Sequence, residues 1–138
     1  MSDIVTDVKG SCCCGKVTYH AAQAGSMIIE CHCRQCQKQS EYRSAHVQTR
    51  TGHVVIKGED NMTWFRPFPG GERGFCADCG SHMFWRSTVD DELTLLVATI
   101  DSPEAFKMGR HVYADEHAYY YDIDDGNAQY VDYDTPKG

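Results

Sequence analysis

The chain has 138 residues, eight of them cysteine, and its 20 acidic against 13 basic side chains leave a formal charge of -7. That length suits one domain with a modest core, and the acidic balance argues against nucleic acid and anionic membrane surfaces, which both need a basic face. No stretch approaches the roughly 18 apolar residues of a membrane span, and Met1 to Asp7 carries neither the basic nor the apolar region of a secretory leader.

A cytoplasmic chain is therefore expected, with its cysteines reduced and clustered as metal ligands rather than paired in disulfides. Residues 1–9 read as a loose lead-in, followed by a small-residue turn, Gly10-Ser11-Cys12-Cys13-Cys14-Gly15. Lys16 to His20 alternates polar and apolar residues, the pattern of a half-buried strand, and Ser26 to Glu30 reads as a second strand that delivers the chain to Cys31. Gln37 to Ser40 suits one helical turn. Ser44–Thr49, His53–Lys57 and Met62–Arg66 read as strands separated by turns at Thr51-Gly52 and Gly58 to Asn61. Pro67-Phe68-Pro69-Gly70-Gly71 is expected to be a loop, because proline lacks a ladder N–H. It lacks the lysine and following helix of a phosphate-binding loop.

His82–Arg86 and Leu93–Ile100 read as further strands, the second apolar enough to be central and covered on both faces. Ser102-Pro103 has the form of an N-cap followed by proline at the first helical position, so a short helix is expected. His111-Val112-Tyr113 suits a last strand, and the polar tail from Gly126 reads as loose. The whole is expected to be one domain over 1–138, core about 9–126, all-β and mostly antiparallel with one short helix. Asp122 to Gly126 is acidic but puts glycine where a calcium loop needs an acid, so it reads as a turn.

The cysteines fall in three clusters: Cys12/Cys13/Cys14, Cys31/Cys33/Cys36 and Cys76/Cys79. Cys76-x-x-Cys79-Gly80 is a metal knuckle, in which a tight turn aims two thiolates at one ion and glycine permits the left-handed backbone after it. Two such half-sites distant in sequence close one structural site. Cys12 and Cys14, followed by Gly15, are the matching half, which leaves Cys31, Cys33 and Cys36 as a three-thiolate site with a vacant fourth position. The other pairing joins Cys76 and Cys79 to two of the triad and leaves Cys12 and Cys14 spare. Cys13 reads as a small buried apolar residue.

These motifs resemble the glutathione-dependent formaldehyde-activating family, the centromere-protein-V/GFA domain. The resemblance rests on Gly10-Ser11-Cys12-x-Cys14-Gly15-x-Val17-x-Tyr19, Cys31-His32-Cys33-x-x-Cys36-x-Lys38 and Phe75-Cys76-x-x-Cys79-Gly80-Ser81, with support from Thr99-Ile100-Asp101-x-Pro103 and His111. It implies an Mss4-like fold of zinc-tied sheets and two Zn2+ sites. Cys12, Cys14, Cys76 and Cys79 would hold a structural ion, and Cys31, Cys33 and Cys36 a catalytic one. It also implies a carbon–sulfur lyase that condenses glutathione with formaldehyde, a small thiol with a small aldehyde. The alternative is a zinc-stabilised binding module without turnover. Three departures stand out: Glu41-Tyr42 in the stretch where the family often has a small residue, commonly glycine; Cys13 where it has an apolar residue; and Tyr119-Tyr120-Tyr121 in place of a tryptophan region; the first and last bear on the ligand pocket.

For the thiol adduct, Arg34 and Lys38 are candidate carboxylate contacts and Ser40 a candidate hydrogen-bond donor. As surface groups each also has a plain reading, as solvated charge or turn cap. His32 reads either as a proton relay or as a side chain turned away from the metal by its place between two ligands.

Overall fold

The alternating pattern resolves into eleven strands and, among the described residues, one α-helix. The computed structural model describes residues 3–138. In chain order the elements are β1 (Ile4–Ser11), β2 (Thr18–Gly25), β3 (Met27–Cys31), α1 (Arg34–Ser40), β4 (Ser44–Arg50), β5 (Val54–Lys57), β6 (Met62–Phe68), β7 (Gly71–Cys76), β8 (His82–Ser87), β9 (Glu92–Leu96), β10 (Lys107–Val112) and β11 (Ala128–Gln129). They form a three-stranded sheet ordered β1-β2-β5 and an eight-stranded sheet ordered β11-β10-β3-β4-β9-β8-β7-β6. Every pairing is antiparallel except β10 with its two neighbours, β3 and β11.

The main core lies between the two sheets. Val8, Tyr19 and Ala21 from the small sheet meet Val47, Phe84 and Leu95 from the large one, all buried. Burying side chains of that size contributes about 1.5–3 kcal/mol each. A second, smaller cluster of Ile29, Cys31, Cys36 and Val112 sits apart from it. Side chains alternate along a strand, so Val47 enters the core while its neighbours His46 and Gln48 point to the other face. This second face carries the site.

Several local expectations differ from the structure. Residues 4–9 are not a lead-in; they form β1, paired with β2 from Ile4↔Gly25 to Ser11↔Thr18. Strand β6 runs through Pro67 to Phe68, with its register shifting after Phe65. It is the outermost strand of its sheet, where proline's missing donor costs no ladder bond. Strand β9 is central and buried as expected, between β4 and β8, but it ends at Leu96. There Thr99 Oγ1 donates to the Leu96 carbonyl at 2.7 Å and holds a 3-10 turn over Val97–Thr99. The tail is tied down: β11 pairs with β10, and Tyr133 reaches β4. The Pro103–Ala105 turn has proline at its start, as read from the sequence, but Ser102 makes no capping bond.

Candidate metal centres

The first centre is made by two turns far apart in the chain. Gly80 N donates to the Cys76 carbonyl at 2.8 Å and Gly15 N to the Cys12 carbonyl at 3.2 Å. Both glycines have φ near +80°, a conformation that glycine adopts without steric cost. The turns bring Cys12, Cys14, Cys76 and Cys79 together, with all four sulfurs within 4.8 Å of one another. The Sγ atoms of Cys12 and Cys14 are 3.6 Å apart, and those of Cys14 and Cys76 are 3.8 Å apart. A tetrahedral ion with 2.3 Å bonds to sulfur has an edge of about 3.8 Å, so the donor set fits. Val17 N donates to Cys12 Sγ and Asn61 Nδ2 to Cys76 Sγ, both at 3.4 Å. Ser81 holds the Cys79 thiol down to about 5. Cys13 is exposed at the tip of its turn, not buried. Its segment is a turn rather than a strand, so the side chain has no core to enter.

The second centre is local. β3 ends at Cys31, and α1 begins on Cys33, whose sulfur caps it by accepting from Cys36 N at 3.3 Å. One turn of helix thus folds Cys33 and Cys36 back onto Cys31, again within 4.8 Å. These three thiols open on a cavity of about 590 Å³. Cys31 and Cys36 are buried and Cys33 is half-buried.

Strand register builds the cavity wall. Arg73 pairs with Trp85, Trp85 with Thr94, and Thr94 with Gln48, so one row of side chains crosses four strands on the same face. Trp85 lies flat on Gly71, where an added Cβ would fall 2.6 Å from the ring. Arg73 is 6% exposed. Its Nη2 donates to Cys36 Sγ at 3.5 Å and to Gln35 Oε1 at 3.2 Å, while its Nε is buried without a partner. Cys31, Cys33 and then Arg73 hold the Cys36 thiol far below the ordinary thiol range. Its two cysteine neighbours and burial push Cys31 far above that range. A thiolate at Cys36 is the one that the Arg73 guanidinium faces.

His46 and His82 also face the cavity, and burial lowers each to about 4, with Arg73 adding to the effect at His82. Both are neutral at pH 7. Tyr133 Oη sits 3.0 Å from His46 Nε2 and accepts from Gln48 Nε2 at 3.1 Å. Burial pushes that phenol above the ordinary tyrosine range, so it keeps its proton.

Of the three substrate contacts read from the sequence, Arg34 lines the cavity and donates from Nη1 to Gln37 Oε1 at 3.1 Å. Lys38 is exposed outside the lining, and Ser40 lies 3.4 Å from His82 Nδ1, also outside it. Arg73, His46 and Tyr133 were not foreseen. Arg73 stands only three residues before Cys76, and that proximity was the available signal. His32 is turned away from the triad and fully buried on the opposite face of the sheet, as alternation requires. Tyr121, within the tyrosine run, meets it there.

A mostly antiparallel β-protein with a closed four-thiol centre and an open three-thiol centre belongs, as a class, among proteins able to hold metal ions. More particularly, the chain belongs to the glutathione-dependent formaldehyde-activating enzyme family, whose model matches residues 7–116. Among solved structures, the fold is similar to a structural-genomics crystal structure of a Rhodobacter sphaeroides protein. That match has 22% identity and a TM-score of 0.55, covering 68% of this chain and 88% of that one. No curated protein matches the chain. No helix among the described residues is long and apolar enough to cross a membrane.

Proposed function

We propose that the chain is a zinc-dependent carbon–sulfur lyase of the S-(hydroxymethyl)glutathione synthase type, working in the cytoplasm on a small thiol and a small aldehyde. The observation that carries this reading is the three-thiol centre beside a buried arginine at the floor of an open cavity. In this reading Cys12, Cys14, Cys76 and Cys79 hold a structural zinc, and Cys31, Cys33 and Cys36 a second. A zinc held by three thiolates supplies a Lewis-acidic fourth position, suited to keeping a thiol ionised at neutral pH.

The reaction joins the glutathione sulfur to the formaldehyde carbon. The thiol proton ends on the former carbonyl oxygen, so atoms balance with no oxidant or reductant. Around that step, the protein binds and orients. Arg34, at the cavity wall, suits a glutathione carboxylate, and Glu116, which also lines the cavity, suits its ammonium group. Phe68 and Trp85 form an apolar wall that excludes water. His46 and His82, held neutral, are proton acceptors facing the cavity.

The test is NMR exchange between free glutathione and its formaldehyde adduct, with wild type and Cys33→Ser. The reading expects wild type to accelerate exchange above the uncatalysed rate and Cys33→Ser to match that rate with an unchanged circular-dichroism spectrum. Wild type that leaves the uncatalysed rate untouched would overturn it and favour a binding module.

A further inference from the structure

A third group of ligating atoms lies on the face of the large sheet opposite the triad. Parallel pairing of β10 with β3 sets His111 beside Glu30, and alternation sets His32 on the same face as Glu30. Glu30 Oε1, His32 Nε2 and His111 Nδ1 converge. The nitrogens are 2.9 Å apart, and the carboxylate oxygen is 3.9 Å from His32 Nε2 and 3.5 Å from His111 Nδ1. A triangle with those edges has a point about 2.0 Å from all three corners, which is the bond length of a first-row divalent ion to imidazole nitrogen and carboxylate oxygen.

The surroundings match what such an ion requires. Ligating histidines donate their second ring N–H to an acceptor that fixes the tautomer. Here His32 Nδ1 lies 2.6 Å from Tyr121 Oη, and His111 Nε2 lies 3.0 and 2.9 Å from the two Asp125 oxygens. Both imidazoles are thus set to turn a lone pair toward the shared point. Both histidines are also buried, at 0% and 2% exposure.

A chain of hydrogen bonds without an ion leaves a defect. If His32 and His111 simply share a proton, Glu30 Oε1 stays buried with no hydrogen bond, an arrangement native proteins rarely tolerate. Arg43 Nε approaches that oxygen at 2.9 Å as an ion pair, without the angle of a hydrogen bond. A carboxylate oxygen retains a lone pair beyond that contact. Glu30 and Asp125 together bring two negative charges against the one positive charge of Arg43.

We propose that Glu30, His32 and His111 form a third metal site for a first-row divalent cation, oriented from behind by Tyr121, Asp125 and Arg43. Two histidines and one carboxylate favour borderline ions such as zinc over magnesium or calcium. The ion would staple β3 to β10 immediately behind the strand end and helix cap that carry Cys31 and Cys33. This site is independent of the lyase reading.

The experiment titrates cobalt(II) into metal-free full-length protein, for wild type, Glu30→Gln and His111→Asn, reading bound cobalt per chain and the visible spectrum. Glu30→Gln preserves shape and removes the anionic ligand. The site predicts that Glu30→Gln binds one cobalt fewer than wild type, with the near-ultraviolet thiolate-to-cobalt band at full intensity. His111→Asn behaves in the same way. Equal cobalt binding by wild type and Glu30→Gln would overturn the site, as would a loss accompanied by a matching fall in the thiolate band.

Discussion

The two thiol centres use the same side chain for opposite ends. The four-thiol centre joins residues some sixty positions apart through two rigid glycine turns, and its sulfurs are tied by Val17, Asn61 and Ser81. The three-thiol centre comes from one six-residue segment, is held by the start of a short helix, and faces a cavity with a buried cation. A centre that closes a long loop constrains the fold; a centre that closes only itself leaves the fold to the sheets and its fourth position to a ligand. On the proposed reading, the difference teaches that count and reach of ligands, not residue type, separate a structural centre from a catalytic one.

The largest effect should follow from breaking the closed centre. Cys76→Ser removes a fully buried thiol of the four-thiol centre; if that centre holds a structural zinc as proposed, such a site contributes about 10–16 kcal/mol, comparable to the whole stability of a domain, about 5–15 kcal/mol. The expected outcome is a chain that does not give a cooperative thermal transition, read by circular dichroism. A middling effect should come from Arg73→Lys, which keeps the charge but replaces the planar guanidinium that donates to Gln35 and Cys36 with a shorter, point-charged side chain. Loss of such a partner to a metal ligand costs about 10–100-fold. The fall should appear in kcat/KM for the proposed exchange while the closed centre keeps its metal.

The smallest effect should come from Glu41→Gly. Glu41 ends α1 at φ +73° and ψ −34°, a region that penalises a side chain. Glycine at this position should raise stability by about 1 kcal/mol in urea unfolding and leave exchange activity unchanged.

Much of this was legible in the chain. Cys12, Cys14, Cys76 and Cys79 declare a shared centre because glycine follows each knuckle, and Leu93 to Leu96 declares a central strand by its apolar run. The strand β1 was hidden by Asp7 and Lys9, which point to solvent, and β7 by Gly71 and Gly74, whose missing side chains make room for Trp85 and Trp64. Arg73, Tyr133 and the Glu30–His111 pairing were not legible, because each depends on which strand lies beside which. Local spacing reads ligands that share a turn; it cannot read partners brought together by sheet order.

The most direct test of the two-centre account is metal release to a chelator, followed by absorbance together with the near-ultraviolet circular dichroism of the tryptophans. Wild type is compared with the triple variant Cys31/Cys33/Cys36→Ser. The account predicts a fast, glutathione-sensitive phase in wild type that is absent from the triple variant, and a slow phase in both that coincides with loss of tertiary signal. Fast release persisting in the triple variant, or release from the triad that carries the tertiary signal away with it, would contradict the division into a closed and an open centre.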